Sequence, residues 1–117
     1  ASIERGLLAI DLIEAELLET GVAGDDRQFN LTWHDWLNLR SLCDVSRVIA
    51  LAALRRENSR GAHFRSDFPE PGELATSTFT VARQRADGSG IEIGDQPVQF
   101  THVKPGETVL RDQIAAE

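Results

Sequence analysis

The segment NLTWHDWLNLRSLCDVSRVIALAALRREN, residues 30–58, decides the fold of this chain. Its apolar side chains recur at helical spacing on several sides, which predicts one helix of about 40 Å at 1.5 Å per residue. Asn30 or Thr32 can serve as its N-cap, and Gly61 is placed to close it in the left-handed conformation. A helix that is apolar most of the way round packs on several sides. Because one neighbouring helix cannot cover that surface, the pattern indicates a missing partner or a fragment of a longer chain.

Upstream of this segment, an amphipathic pattern predicts a first helix over residues 3–18. Gly21 and Gly24 follow it and predict a loop. The apolar stripe of this first helix consists of Ile3, Leu7, Ile10, Ile13 and Leu17.

Downstream, Pro69 and Pro71 predict an extended connector, after which the pattern changes to one typical of strands. Two strands with a turn at 86–90, or three strands if 98–103 adds another, would form an antiparallel hairpin or meander. Residues 108–116 are expected to form at most a frayed terminal helix. The expected fold is mainly α with a small β part. A two-to-three-helix, spectrin-repeat-like bundle over 1–68 would be followed by connector, hairpin and tail over 69–117.

Composition excludes several classes of function. The net charge of −7 argues against nucleic acid as a partner. The single cysteine, Cys43, excludes an internal disulfide and any multi-cysteine metal site. The sequence has no apolar run long enough to predict direct membrane insertion, and its N-terminus lacks the features of a signal peptide. The expected location is therefore the cytoplasm, including the cytoplasmic face of a membrane if partner subunits bring the chain there.

The sequence offers few residues for chemistry. Gly88 and Gly90 begin like a dinucleotide-binding loop, but Ile93 stands where the third glycine belongs, so a turn is the better interpretation. The three histidines have no metal-ligand partner at helical spacing. Ser59, His63 and Asp67 occur in the order of a catalytic triad, yet that spacing is common by chance. We therefore assign no catalytic, cofactor-binding or metal-binding residue to this chain.

An arginine-rich run follows the long helix and stands out against the acidic balance. Residues 55–65 hold four arginines against Glu57, whereas residues 1–26 hold seven acidic side chains against one arginine. The run predicts a docking surface, with Asp67 holding the turn through Arg65 or Arg60. One interpretation is a free-standing helical adaptor that binds an acidic protein surface through this cluster. The candidate interface residues are Arg56, Ser59, Arg60, Gly61, His63, Arg65, Asp67 and Pro69.

The same run resembles a signature of the succinate dehydrogenase and fumarate reductase flavoprotein family, which includes L-aspartate oxidase. That signature reads Arg-x-Glu-Ser-Arg-Gly-x-His-x-Arg-x-Asp-x-Pro near the C-terminus. Residues 56–69 match it at every specified position except Asn58, where the family usually has glutamate. The preceding long helix and the following hairpin also resemble the family's C-terminal region.

The resemblance implies a non-catalytic C-terminal helical domain of an FAD-dependent oxidoreductase that serves electron transport. FAD and the catalytic residues would lie in upstream domains, and this chain alone would hold no cofactor. Its expected partners are the flavin-binding domain and an iron–sulfur subunit. The long helix, if exposed in an excised fragment, could also drive formation of a homodimer. Asn58 leaves open whether the parent acts on succinate or fumarate or oxidises aspartate.

Overall fold

The computed structural model describes residues 2–24 and 26–107. Their elements are α1 (Ser2–Thr20), α2 (Leu31–Arg55), β1 (Thr78–Gln84) and β2 (Ile91–Pro97). The predicted fold class is confirmed, since two helices are followed by a two-stranded antiparallel sheet. The terminal helix expected over residues 108–116 lies outside the described residues.

The chain divides into two compact units. The first contains the residues up to Arg56 together with Ala82–Ile93, and the second contains Glu57–Val81 with the residues from Gly94 on. The division of the chain into domains at 68/69 stays a prediction.

The ends of α2 follow from local hydrogen bonds. Asn30, one of the two predicted N-caps, accepts a hydrogen bond from the backbone N–H of Trp33 at 3.0 Å. The helix ends at Arg55, before the predicted end at 58, because Arg56 adopts an extended conformation. Gly61 is left-handed with φ 58°, as predicted, but it lies in a turn beyond the helix and does not close it.

The two helices pack through a narrow seam. The indole N–H of Trp36 donates to the carbonyl oxygen of Leu17 at 3.0 Å. Among the described residues, Leu17 and Cys43 are the buried apolar side chains, with 8% and 5% of their surface exposed. Arg47 of α2 reaches Asp11 and Glu14 of α1 at 2.9 and 2.5 Å. The seam therefore combines a small apolar contact with an ion cluster.

The strands form a simple hairpin. The turn between them closes through a hydrogen bond from Arg85 N–H to the carbonyl oxygen of Gly90 at 2.9 Å. A strand at 98–103 is not formed, so the three-stranded alternative is wrong and the hairpin alternative is confirmed. A third antiparallel strand would need a turn after Ile93, and those residues extend β2 to Pro97 instead.

Candidate functional site

The arginine-rich run folds into a closed loop that we call the signature turn, residues 59–73. Arg60 and His63 exchange backbone hydrogen bonds at 2.9 and 3.1 Å, and Gly61 supplies the left-handed residue between them. At the other end, Ser59 N–H donates to the carbonyl oxygen of Glu70 at 2.9 Å. The backbone of the turn is thus held at both ends.

The hydroxyl group of Ser59 lies inside this loop. It accepts a hydrogen bond from the backbone N–H of Arg65 at 2.9 Å and lies 2.8 Å from the carbonyl oxygen of Phe68, to which it can donate. A single hydroxyl therefore serves two backbone groups that no helix or strand satisfies. Ser59 is a structural residue of the turn.

The side chain of Arg60 links the start of the signature turn to residues 71–77. Its Nη1 donates to the hydroxyl of Ser77 at 2.8 Å, and its Nη2 donates to the carbonyl oxygen of Glu73 at 3.0 Å. Its Nε donates to the carbonyl oxygen of Pro71. All three guanidinium nitrogens of Arg60 are thus engaged within the chain.

Arg65 is the most enclosed charged side chain of the described residues, with 9% of its surface exposed. It donates to both carboxylate oxygens of Asp67, at 3.0 Å from Nε and 2.5 Å from Nη2. Its guanidinium carbon also lies 4.5 Å from the centre of the Phe68 ring. The hydrogen bonds from Arg65 lower the pKa of the Asp67 carboxyl. Of the two predicted pairings, Asp67 therefore adopts the one with Arg65.

Ser59, His63 and Asp67 do not hydrogen-bond to one another. His63 Nε2 is enclosed and has no hydrogen-bond partner, and the carboxylate of Asp67 binds Arg65. The hydroxyl of Ser59 binds backbone groups. Arg56 forms the C-cap of α2, and Pro69 is exposed at the start of the connector.

The helices carry exposed apolar surface. Leu8 and Leu12 share the side of α1 that faces away from α2, and Leu12 is 71% exposed. A second apolar stripe runs along α2 away from α1, and its residue Ile49 is 63% exposed. That stripe consists of Leu42, Val45 and Ile49. The sequence pattern predicted that the second helix is apolar on several sides, and its stripe remains exposed in the structure.

Sequence reasoning missed two features of the helices. Arg47 links both helices, and its hydrogen bond with Asp11 raises the pKa of its guanidinium group. Its position on the buried side of α2, opposite two acidic residues of α1, was the available signal. The left-handed conformation of Phe29 was also not predicted. The available signal was its position directly before the N-cap Asn30, where an apolar residue often packs against the first turns of the helix.

No group of three histidine, cysteine, aspartate or glutamate side chains suited to a metal ion occurs among the described residues. Gly88 and Gly90 belong to the turn between the two strands, and within the described residues no helix N-terminus follows them that could bind a pyrophosphate. Within the same residues, no helix has the length and apolar composition needed to cross a membrane.

The sequence of this chain is similar to those of known proteins. The family model described as "Fumarate reductase flavoprotein C-term" matches residues 1–110. The fumarate reductase flavoprotein subunit of Mycobacterium tuberculosis is 32% identical over 108 residues, which cover 92% of this chain and 18% of that relative. The subunit of Haemophilus influenzae is 26% identical over 117 residues, covering 100% of this chain and 19% of the relative.

An L-aspartate oxidase is also similar. The protein from Rhodospirillum rubrum is 38% identical over 69 residues, which cover 52% of this chain and 25% of that protein. No solved structure matches the chain. The chain spans about a fifth of the length of the fumarate reductase subunits it matches. The match of the family model to nearly the whole chain shows that it belongs to the C-terminal domain family of the fumarate reductase and succinate dehydrogenase flavoproteins.

Proposed function

We propose that this chain is the non-catalytic C-terminal helical domain of an FAD-dependent oxidoreductase of the succinate dehydrogenase and fumarate reductase type. The observation that carries the proposal is the family match over residues 1–110, which includes the whole signature turn. In the parent protein, the domain would pack on the flavin-binding domain, the iron–sulfur subunit or both. FAD would bind upstream, and the redox chemistry of a small dicarboxylate or of aspartate would take place there.

The exposed faces of the helices support a packing role. Apolar side chains on opposite sides of the α1–α2 pair remain in contact with water, and Leu12 and Ile49 are each more than half exposed. Exposed apolar surface of this kind marks a protein interaction site. A domain built into a larger flavoprotein would cover both faces.

The geometry of the signature turn gives no support to the adaptor alternative. That hypothesis needs arginines that can reach a partner's carboxylates, and Arg60 and Arg65 are engaged by groups of this chain. We assign the turn instead the role of fixing the chain between α2 and the hairpin. The hydrogen bonds of the signature residues would then serve the fold of the domain.

The test compares the parent protein with the isolated chain. The open reading frame should encode an upstream Gly-x-Gly-x-x-Gly after a strand, and the purified parent should show a flavin absorption spectrum. The isolated 117-residue chain, mixed with excess FAD and passed through a gel-filtration column, should elute without flavin absorbance. A stoichiometric yellow complex of the isolated chain would contradict the proposal, as would an open reading frame of about this length alone.

A further inference from the structure

The loop before α2 holds a bulky residue in a conformation that is costly for it. Phe29 has φ 57°, and it is the one residue other than glycine with positive φ among the described residues. Its side chain is 97% exposed. Left-handed backbone is unfavourable for a residue with a large side chain, and an exposed ring gains nothing in return within this chain. Strain together with exposure points to a role outside the described structure.

Hydrogen bonds on both sides of Phe29 hold it in place. The carboxylate of Asp26 accepts from the backbone N–H of Gln28 at 2.9 Å, and the carbonyl oxygen of Asp26 accepts from the side-chain amide of Asn30 at 3.0 Å. Asn30 also caps α2 by accepting from Trp33 N–H at 3.0 Å. Phe29 is therefore presented by a braced loop, which lowers the entropy lost when the ring binds a partner.

Phe29 does not stand alone. Leu31 is 76% exposed and Trp33 is 49% exposed, so two more large apolar side chains are exposed in the first turn of α2, on different sides of the helix. We call these three residues the aromatic corner. Rigid aromatic side chains of this kind dominate the binding energy of protein interfaces.

We propose that the aromatic corner anchors this domain to the upstream part of the same polypeptide by inserting Phe29 into an apolar pocket there. The inference rests on the proposed function, since it requires the longer parent flavoprotein. The three side chains expose roughly 400 Å² at the usual size of such residues. A stable contact between free proteins buries roughly 800 Å² on each partner, so this corner alone is too small to hold a second copy or a free protein.

A covalent connection removes that difficulty. Docking within one chain proceeds at a high effective concentration, so a few anchoring side chains suffice. The matched flavoprotein subunits are about five times as long as this chain, because it covers only 18% and 19% of them. The upstream polypeptide is therefore the binding partner that fits both the small contact area and the covalent link within one chain.

The direct test is hydroxyl-radical footprinting of the intact flavoprotein with FAD bound. We compare the modification rate of Phe29 in the native protein with the rate in the unfolded protein. Docking predicts at least a tenfold lower rate for the native protein, whereas a free ring at 97% exposure would react almost as fast as in the unfolded chain. Free-ring reactivity in the flavin-loaded monomer, or protection confined to a dimer fraction, would overturn the inference. A parent without flavin would instead contradict the proposed function.

A substitution series tests the energy of the contact. If Phe29 has no partner, Phe29→Gly removes strain and loses no contact, so the melting temperature of the flavoprotein stays the same or rises. If the ring is docked, Phe29→Gly lowers the melting temperature by about 2 °C or more, and Phe29→Trp restores most of it. Gln28→Ala, at the neighbouring exposed position, is the control and should leave the melting temperature unchanged. An unchanged or raised value for Phe29→Gly overturns the inference.

Discussion

The signature turn and the pair of helices differ in how far their side chains are satisfied by contacts within the chain. In the signature turn, Ser59 and both arginines, Arg60 and Arg65, bind groups of this chain. The helices carry many apolar side chains, yet Leu17 and Cys43 are the only buried ones among their described residues. Charge looked like the docking signal in the sequence, but the structure engages that charge internally. The helices, by contrast, present apolar side chains that a partner could cover.

The strongest test of this contrast is Ile49→Ala. On this chain alone Ile49 is 63% exposed, so its truncation would cost less than about 0.5 kcal/mol of unfolding free energy. If the intact flavoprotein covers Ile49, the same truncation should lower the unfolding free energy by about 2–5 kcal/mol. Denaturant unfolding of the intact protein measures the difference. Ser46→Ala, an exposed polar position of α2, is the matched control, and equal small costs for both variants would break the comparison.

Arg60→Ala tests the other side of the contrast. The variant loses three hydrogen bonds to Pro71, Ser77 and Glu73, and we expect a local destabilisation of about 3 kcal/mol. Amide hydrogen exchange over residues 57–77 of the intact protein should then accelerate roughly a hundredfold. Arg83→Ala removes an exposed arginine of β1 and should leave that exchange unchanged. If amide exchange over residues 57–77 stays slow in Arg60→Ala, the stability of the turn does not depend on the hydrogen bonds of Arg60.

Much of this architecture follows from sequence patterns, and the exceptions have physical causes. Helical periodicity predicted α1 and α2, and the pairing of Arg65 with Asp67 was one of two predicted alternatives. The partners of Arg60 could not be predicted, because the carbonyl oxygens of Pro71 and Glu73 belong to the backbone and carry no residue-specific signal. The left-handed conformation of Phe29 was equally hidden, since residue statistics favour glycine or asparagine there.

Ser59→Ala should have a smaller effect than Arg60→Ala. The variant leaves the backbone N–H of Arg65 and the carbonyl oxygen of Phe68 without their hydroxyl partner, at a cost of about 1.5 kcal/mol. The same exchange experiment should show acceleration confined to the signature turn. Ser66→Ala, which removes an exposed hydroxyl of the same turn, provides the control. Equal exchange in the two variants would mean that the Ser59 hydroxyl does not organise the turn.

The smallest expected effect is a pH dependence of the signature turn through Asp67. Hydrogen bonds from Arg65 lower the pKa of this carboxyl in the folded protein below its unfolded value of about 3.9. The folded state therefore binds its proton less readily than the unfolded state, so the pair stabilises the turn above that pH. This contribution should disappear as the pH falls through the lower folded pKa, and Asp67→Asn should abolish it. Amide exchange rates over the turn can be measured from neutral to acid pH and corrected for the intrinsic pH dependence of exchange. The difference between the original protein and Asp67→Asn should be smallest at acid pH. A constant difference would show that the Arg65–Asp67 pair is not the source, whereas no pH dependence is expected from the apolar faces of the helices.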